Sequence, residues 1–183
     1  TYHSRYSSWE CYRGQESDTW VADLTPPPAE YSPHLIGTKN MNGTLAAMRR
    51  RGGWQNDHNR RRWQTDADFA MHQTFDNGID FLDRNGRFDN WFLQIETFDP
   101  HEPFTAPQDF EARYFSPDDP FVPDWPPYAK VDEDGKTVEN MRKKYYALTE
   151  FCDQQLGRVL DKMDELDLWK DTMLIVNTDH GFF

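Results

Sequence analysis

Thr172-Met173-Leu174-Ile175-Val176-Asn177-Thr178-Asp179-His180-Gly181 is the stretch on which the fold turns. Its apolar run is short and ends in a polar cluster with a glycine. That is the pattern of a buried strand delivering ligands at its carboxyl end, where open α/β sheets place their binding sites.

Upstream, Met141, Tyr145, Leu148, Cys152, Leu156, Val159, Met163 and Leu166 recur every three or four residues. This predicts a helix of about 25–30 residues, ~40 Å long, with Thr137 as N-cap and Glu139 in its first turn. Trp169-Lys170-Asp171 then makes the short connection to the terminal strand. Val131–Val138 carries a turn signal at its centre. A calcium loop fails there, because the EF-hand register puts Lys130 in the first ligand position.

Trp91-Phe92-Leu93-Gln94-Ile95-Glu96 reads as a second, mostly buried strand, followed by a long proline-rich stretch from Thr97 to Tyr128. Loops of that length in a compact domain usually serve a function. Before it, Met71, Phe75, Ile79 and Leu82 predict a helix with Asp66 and Asp68 in its first turn and Asn85-Gly86 at its end. Strand, loop, helix and strand in this order predict an α/β unit with a parallel pair. Further upstream, Asn42-Gly43-Thr44 marks the start of a short helix and is also a glycosylation sequon. Pro26-Pro27-Pro28 imposes an extended linker after an aromatic N-terminal segment. No internal repeat is visible.

The aromatic content of 15%, with seven Trp and thirteen Phe in 183 residues, argues against disorder despite a mean hydropathy of −0.95. No apolar stretch approaches the roughly 18 residues of a membrane-spanning helix. The net charge is −12, and residues 91–183 hold 20 of the 32 acidic side chains against 9 of the 20 basic ones. Such a surface repels nucleic acid, and it repels anionic substrates unless a cation intervenes. The Arg49-Arg50-Arg51 and Arg60-Arg61-Arg62 triplets read as solvated or salt-bridged segments within this acidic protein. Cys11 and Cys152, the two cysteines, form no Cys-x-x-Cys motif, and Cys152 on an apolar helical stripe is expected as a buried thiol. Neither compartment nor localisation follows from these features.

Asp179 and His180 pair a hard oxygen donor with an imidazole, a combination suited to a divalent cation or a bound anion. In Asp99-Pro100-His101-Glu102-Pro103-Phe104, two prolines stiffen the loop around His101, so little entropy is lost in presenting the imidazole.

These segments together resemble the sulfatase family. Residues 92–104 resemble its strand followed by a His-x-Pro-Phe/Tyr substrate loop. Tyr145-Tyr146-Ala147 through Asp153–Leu160 resembles its long helix, and Thr172–Gly181 its strand and metal-ligand turn. Thr1–Glu10 with Arg13-Gly14-Gln15-Glu16 is similar to a segment of some bacterial sulfatases.

The resemblance implies an alkaline-phosphatase-like α/β fold, a mixed or parallel sheet flanked by helices. It implies sulfuric ester hydrolysis at a divalent cation site, Ca2+ in type, acting on a sulfated small molecule or carbohydrate. By position Asp179 and His180 become metal ligands, although the family more often has Asn after the Asp, and His101 contacts the sulfate group. The formylglycine nucleophile of the family arises within Cys/Ser-x-Pro-x-Arg. Neither Cys11-Tyr12-Arg13 nor Cys152-Asp153-Gln154 fits, and the N-terminal acidic ligands are absent. Residues 1–183 are therefore expected to be a single partial catalytic domain with no catalytic nucleophile of its own, inactive alone. Two alternatives stand: a phosphoester or phosphonate hydrolase of the same superfamily, and an acidic glycan-binding module without catalysis.

Overall fold

A computed structural model describes residues 2–31, 43–119, 122–126, 128 and 130–182. Asn42, with the sequon it would form, and Thr1 lie outside the described residues.

The expected long helix spans Gly135–Glu165, here α4, and runs 31 residues. Its N-cap is Asp134 rather than Thr137. The Asp134 carboxylate accepts from the backbone amides of Lys136 and Thr137, both at 3.0 Å, and from the Thr137 hydroxyl at 2.8 Å. Gly135, the centre of the expected turn, is thus the first helical residue.

The helix expected from Met71 to Leu82 spans Ala70–Asn85, here α2, preceded by a 3₁₀ turn at Asp66–Asp68 and ended at Gly86. It packs lengthwise on α4 through Leu82, Val159 and Met163. Lys162 bonds Asp83 at 2.8 Å and Arg158 pairs with Asp76, fixing the register between the two helices. A second apolar cluster joins Phe69 and Met71 to Leu148, Phe151, Phe104 and Phe110. Phe110 belongs to a short helix, Gln108–Glu111 (α3), inside the stretch expected to be loop. Lys144 and Glu111 at 2.6 Å tie that helix to α4.

The helix starting near Asn42 is longer than expected, Gly43–Arg60 over 18 residues (α1). It buries a polar face: Asn56, His58 and Asn59 are each under 5% exposed. Asn59 and two further side chains of the helix satisfy the backbone of the N-terminal segment. Asn59 Nδ2 donates to the Asp18 carbonyl at 2.8 Å, Gln55 Nε2 to that of Val21 at 2.8 Å, and Trp54 Nε1 to that of Thr25 at 2.8 Å. Arg60 forms an ion pair with buried Asp124 at 2.9 Å, and Arg61 lies over the Trp54 ring, in keeping with a salt-bridged and solvated basic segment. Within the N-terminal segment, Gly14 has φ +110°, and a Cβ there would lie 2.5 Å from the Trp20 ring.

The sheet is where expectation and structure part. Residues 91–97 and 172–178 are extended, and both lay one face on the α2–α4 pair through Trp91, Leu93, Ile95 and Leu174. Gly78 on α2 permits this approach, since a Cβ there would sit 2.3 Å from Ile95 Cδ1. Neither segment forms a ladder, and Trp125 is the one bridged residue among the described residues. Both were expected as buried strands, but their inward side chains are only half-buried and the others are exposed. A ladder further requires a neighbouring backbone at ~4.8 Å in register, which these two segments do not give each other. Their outward side chains stay open: Phe92, Met173, Ile175 and Val176 are all exposed. Tyr6 stacks on Phe92 with ring centroids 6.3 Å apart, so the N-terminal segment follows part of this face.

Candidate active site

The loop after the first extended segment is folded tightly upon itself. Its Asp99-Pro100 and Glu102-Pro103 peptide bonds are both cis. The amide of His101 donates to the Phe98 carbonyl at 3.1 Å, and the Thr97 hydroxyl to that of Asp99 at 3.0 Å. Phe104 anchors the loop as a fully buried residue, its ring against Tyr145 at 5.3 Å, and its amide donates to the Asp124 carbonyl at 2.9 Å. Asp124 is the partner of Arg60, so α1 supports the floor of the loop.

On this support His101 is about one-third exposed, its ring 4.3 Å from that of Phe98. Glu102 beside it is 2% exposed. Asp99 accepts from Gln15 Nε2 at 3.0 Å. Burial pushes the Asp99 carboxyl up to about 7, against the opposing pull of Gln15 and His101. The Tyr128 hydroxyl lies 3.1 Å from His101 Nε2 and 3.2 Å from Glu102 Oε2. Burial, the bond to Glu102 and the nearby charges of Glu102, Glu16 and Asp179 push this phenol up to about 12.

The turn after the second extended segment is open by contrast. Asp179 and His180 side chains are 89% and 62% exposed. The Asp179 carboxylate accepts from the His180 amide at 2.8 Å, His180 Nδ1 lies 3.0 Å from the Gly181 carbonyl, and the Thr178 hydroxyl donates to the His180 carbonyl at 2.8 Å. Just beyond, Phe182 packs edge-on against Phe104 at 5.0 Å and against Tyr128 at 5.8 Å. The two polar clusters of the sequence are therefore joined through an aromatic contact, and Asp179 is near enough to act on the Tyr128 phenol.

The described residues contain no group of three or more His, Cys, Asp and Glu side chains placed to hold a metal ion. Asp179 and His180 are a hard carboxylate and an imidazole on one exposed turn, which suits a divalent cation. Ca2+ takes about 6–8 oxygen ligands, so two donors make only part of such a shell. Cys152 is no nucleophile, since burial foremost, with the charge of Asp99, pushes its thiol above the ordinary range.

Several contributors escaped the sequence reading. Gln15 and Tyr128 lie 84 and 27 residues from their partners in the loop, and periodicity carries no signal for such contacts. Glu102 was in view, but its burial was not.

The sulfatase family model matches residues 12–182, which include every element of this site. The chain belongs to the sulfatase family. Iduronate 2-sulfatase from Mus musculus is 29% identical over 122 residues, covering 50% of this chain and 22% of that protein. An uncharacterized sulfatase, YidJ, from Escherichia coli (strain K12) is 27% identical over 129 residues, covering 60% of this chain and 25% of its own. An arylsulfatase from Clostridium perfringens (strain 13 / Type A) is 27% identical over 119 residues, with 56% of this chain and 24% of the relative covered. The chain thus spans about a quarter or less of the length of these curated relatives. No solved structure matches the chain. Sulfatase membership implies an alkaline-phosphatase-like α/β fold, whereas the described residues are mostly helical and form no strand ladder. No helix among them is long and apolar enough to cross a membrane.

Proposed function

We propose that this chain is one partial sulfatase catalytic domain, supplying the substrate-contact loop and half of the metal site of a sulfate-ester hydrolase. The contact of Phe182 with Phe104 is the observation that carries this reading, because it seats the Asp179–His180 turn beside the His101 loop. In the proposed enzyme His101 Nε2 meets an oxygen of the ester, and Asp179 with His180 holds a divalent cation, Ca2+ in type. Such a cation would neutralise the anionic ester and acidify a formylglycine hydrate contributed from outside these residues. Burial of Phe104 and Glu102 fixes the loop before substrate arrives, so binding costs little ordering. The substrate class is a sulfated small molecule or carbohydrate.

The test uses the enzyme that contains this chain, assayed on an aryl sulfate and the matching aryl phosphate. Replacing His101 by Ala is expected to lower kcat/KM for the sulfate by about 10²-fold or more, and Asp179→Ala to abolish the response to calcium. Turnover of the phosphate ester alone would assign the site to phosphoester chemistry. Sulfatase turnover by these 183 residues alone, with calcium added, would refute the partial-domain reading.

A further inference from the structure

Glu102 surrounds one nitrogen of His101. Nδ1 lies 2.7 Å from the Glu102 carbonyl oxygen and 3.2 Å from its Oε2. Both are acceptors, a carboxylate having no proton of its own to give when ionised. The nitrogen facing them therefore carries a hydrogen. Nε2 faces the opposite way, toward the exposed ring of Tyr128, whose oxygen is 3.1 Å distant.

The phenol has one proton and two neighbours. It can donate to Nε2, or donate to Glu102 Oε2 at 3.2 Å and accept from a protonated Nε2. Either arrangement leaves Nδ1–H in place. The hydroxyl can thus follow a change of role at Nε2 while the other nitrogen stays fixed. Glu102 is 2% exposed, whereas Tyr128 is 71% exposed, so the inner partner is built in and the outer one is displaceable.

We infer that Glu102 is a positioning residue that locks a hydrogen on His101 Nδ1 and leaves Nε2 as the working nitrogen, and that the Tyr128 hydroxyl, in the arrangement where it accepts from a protonated Nε2, occupies the place an anionic oxygen of the substrate takes. The second clause rests on the proposed role of His101 as a substrate contact; the first does not.

Long-range ¹H–¹⁵N NMR of the chain, assigned through His101→Gln, reads the two nitrogens separately. The expected spectrum has the proton on Nδ1, with a weaker preference in Glu102→Gln, which keeps the backbone carbonyl but replaces the carboxylate by a neutral amide. Titration with inorganic sulfate is expected to perturb Nε2, and Tyr128→Phe to lower the half-saturating sulfate concentration about 3- to 10-fold by freeing that nitrogen. A bare Nδ1 in the wild-type chain, or the same tautomer distribution in Glu102→Gln, overturns the positioning role. Should Glu102→Gln not fold, Tyr128→Phe still decides: its proton must remain on Nδ1, and transfer to Nε2 refutes the lock. Weaker sulfate binding in Tyr128→Phe refutes the displacement. Complete absence of sulfate binding with the Nδ1–H form intact sinks the substrate-contact reading and the displacement, and leaves the lock standing.

Discussion

The Phe98–Phe104 loop and the Thr178–Gly181 turn both follow extended segments that lie on the same pair of helices, yet one is enclosed and the other stands open. Every polar side chain of the first is committed within the chain: Asp99 to Gln15, Glu102 to Tyr128, His101 to both neighbours. The donors of the second bond mainly to their own backbone, and Asp179 is almost fully exposed. The loop is thus held in place by contacts within the chain, while the donors of the turn stay open to solvent.

Breaking the enclosed side should have the largest effect. Phe104→Ala removes a fully buried ring from the main cluster, and a loss of about 3–5 kcal/mol in denaturant unfolding is expected. A loss below ~1 kcal/mol would show that the loop is not anchored as described.

Asp99 gives the next largest effect, and it depends on pH. Its folded-state value of about 7 lies above the ordinary carboxyl value, so the folded chain binds the extra proton between the two. Its contribution is fully present below about pH 4 and is lost as pH rises toward 7, by about 4 kcal/mol. Asp99→Asn keeps an acceptor for Gln15 and carries no titration. It should therefore gain on the wild-type chain in melting temperature from pH 4 to pH 8, and parallel curves would contradict a raised Asp99 carboxyl.

The bridge between the two regions is a smaller quantity. A double-mutant cycle of Phe104→Leu and Phe182→Leu should give a coupling of about 0.5–1.5 kcal/mol for the edge-on pair. Zero coupling would separate the turn from the loop.

Smallest of all is Asp179→Asn, expected within ~0.5 kcal/mol of wild type in stability because its side chain is exposed. A substantial loss would mean that Asp179 serves the fold, removing the contrast between the two regions.

What could be read from the sequence divides along similar lines. α2 and α4 announced themselves because their buried residues are apolar and recur at helical spacing. Only the start of α1 did, and its length did not, because it buries Asn56, His58 and Asn59 and its partners include backbone groups of residues 18–25. The apolar content of Trp91–Glu96 foretold a buried strand, but Phe92, Gln94 and Glu96 are exposed, because burial on both faces and pairing depend on a neighbouring strand about which the local sequence is silent. Asp134 displaced Thr137 as cap because a carboxylate three residues earlier reaches two amides and the Thr137 hydroxyl at once. His101 was legible from its flanking prolines. Tyr128 was not, since nothing local in a proline-rich stretch marks which aromatic folds back over the site.

The two cysteines differ as sharply as the two loops. Cys11 is exposed, while Cys152 is half-buried rather than fully buried, and its thiol is held in the protonated form. A maleimide dye should therefore label the folded chain at one position without any cysteine being removed. Cys11 is followed at once by the Arg13–Asp18 turn that carries Gln15 to Asp99, so emission from that single label offers a running optical record of whether the N-terminal segment stays docked.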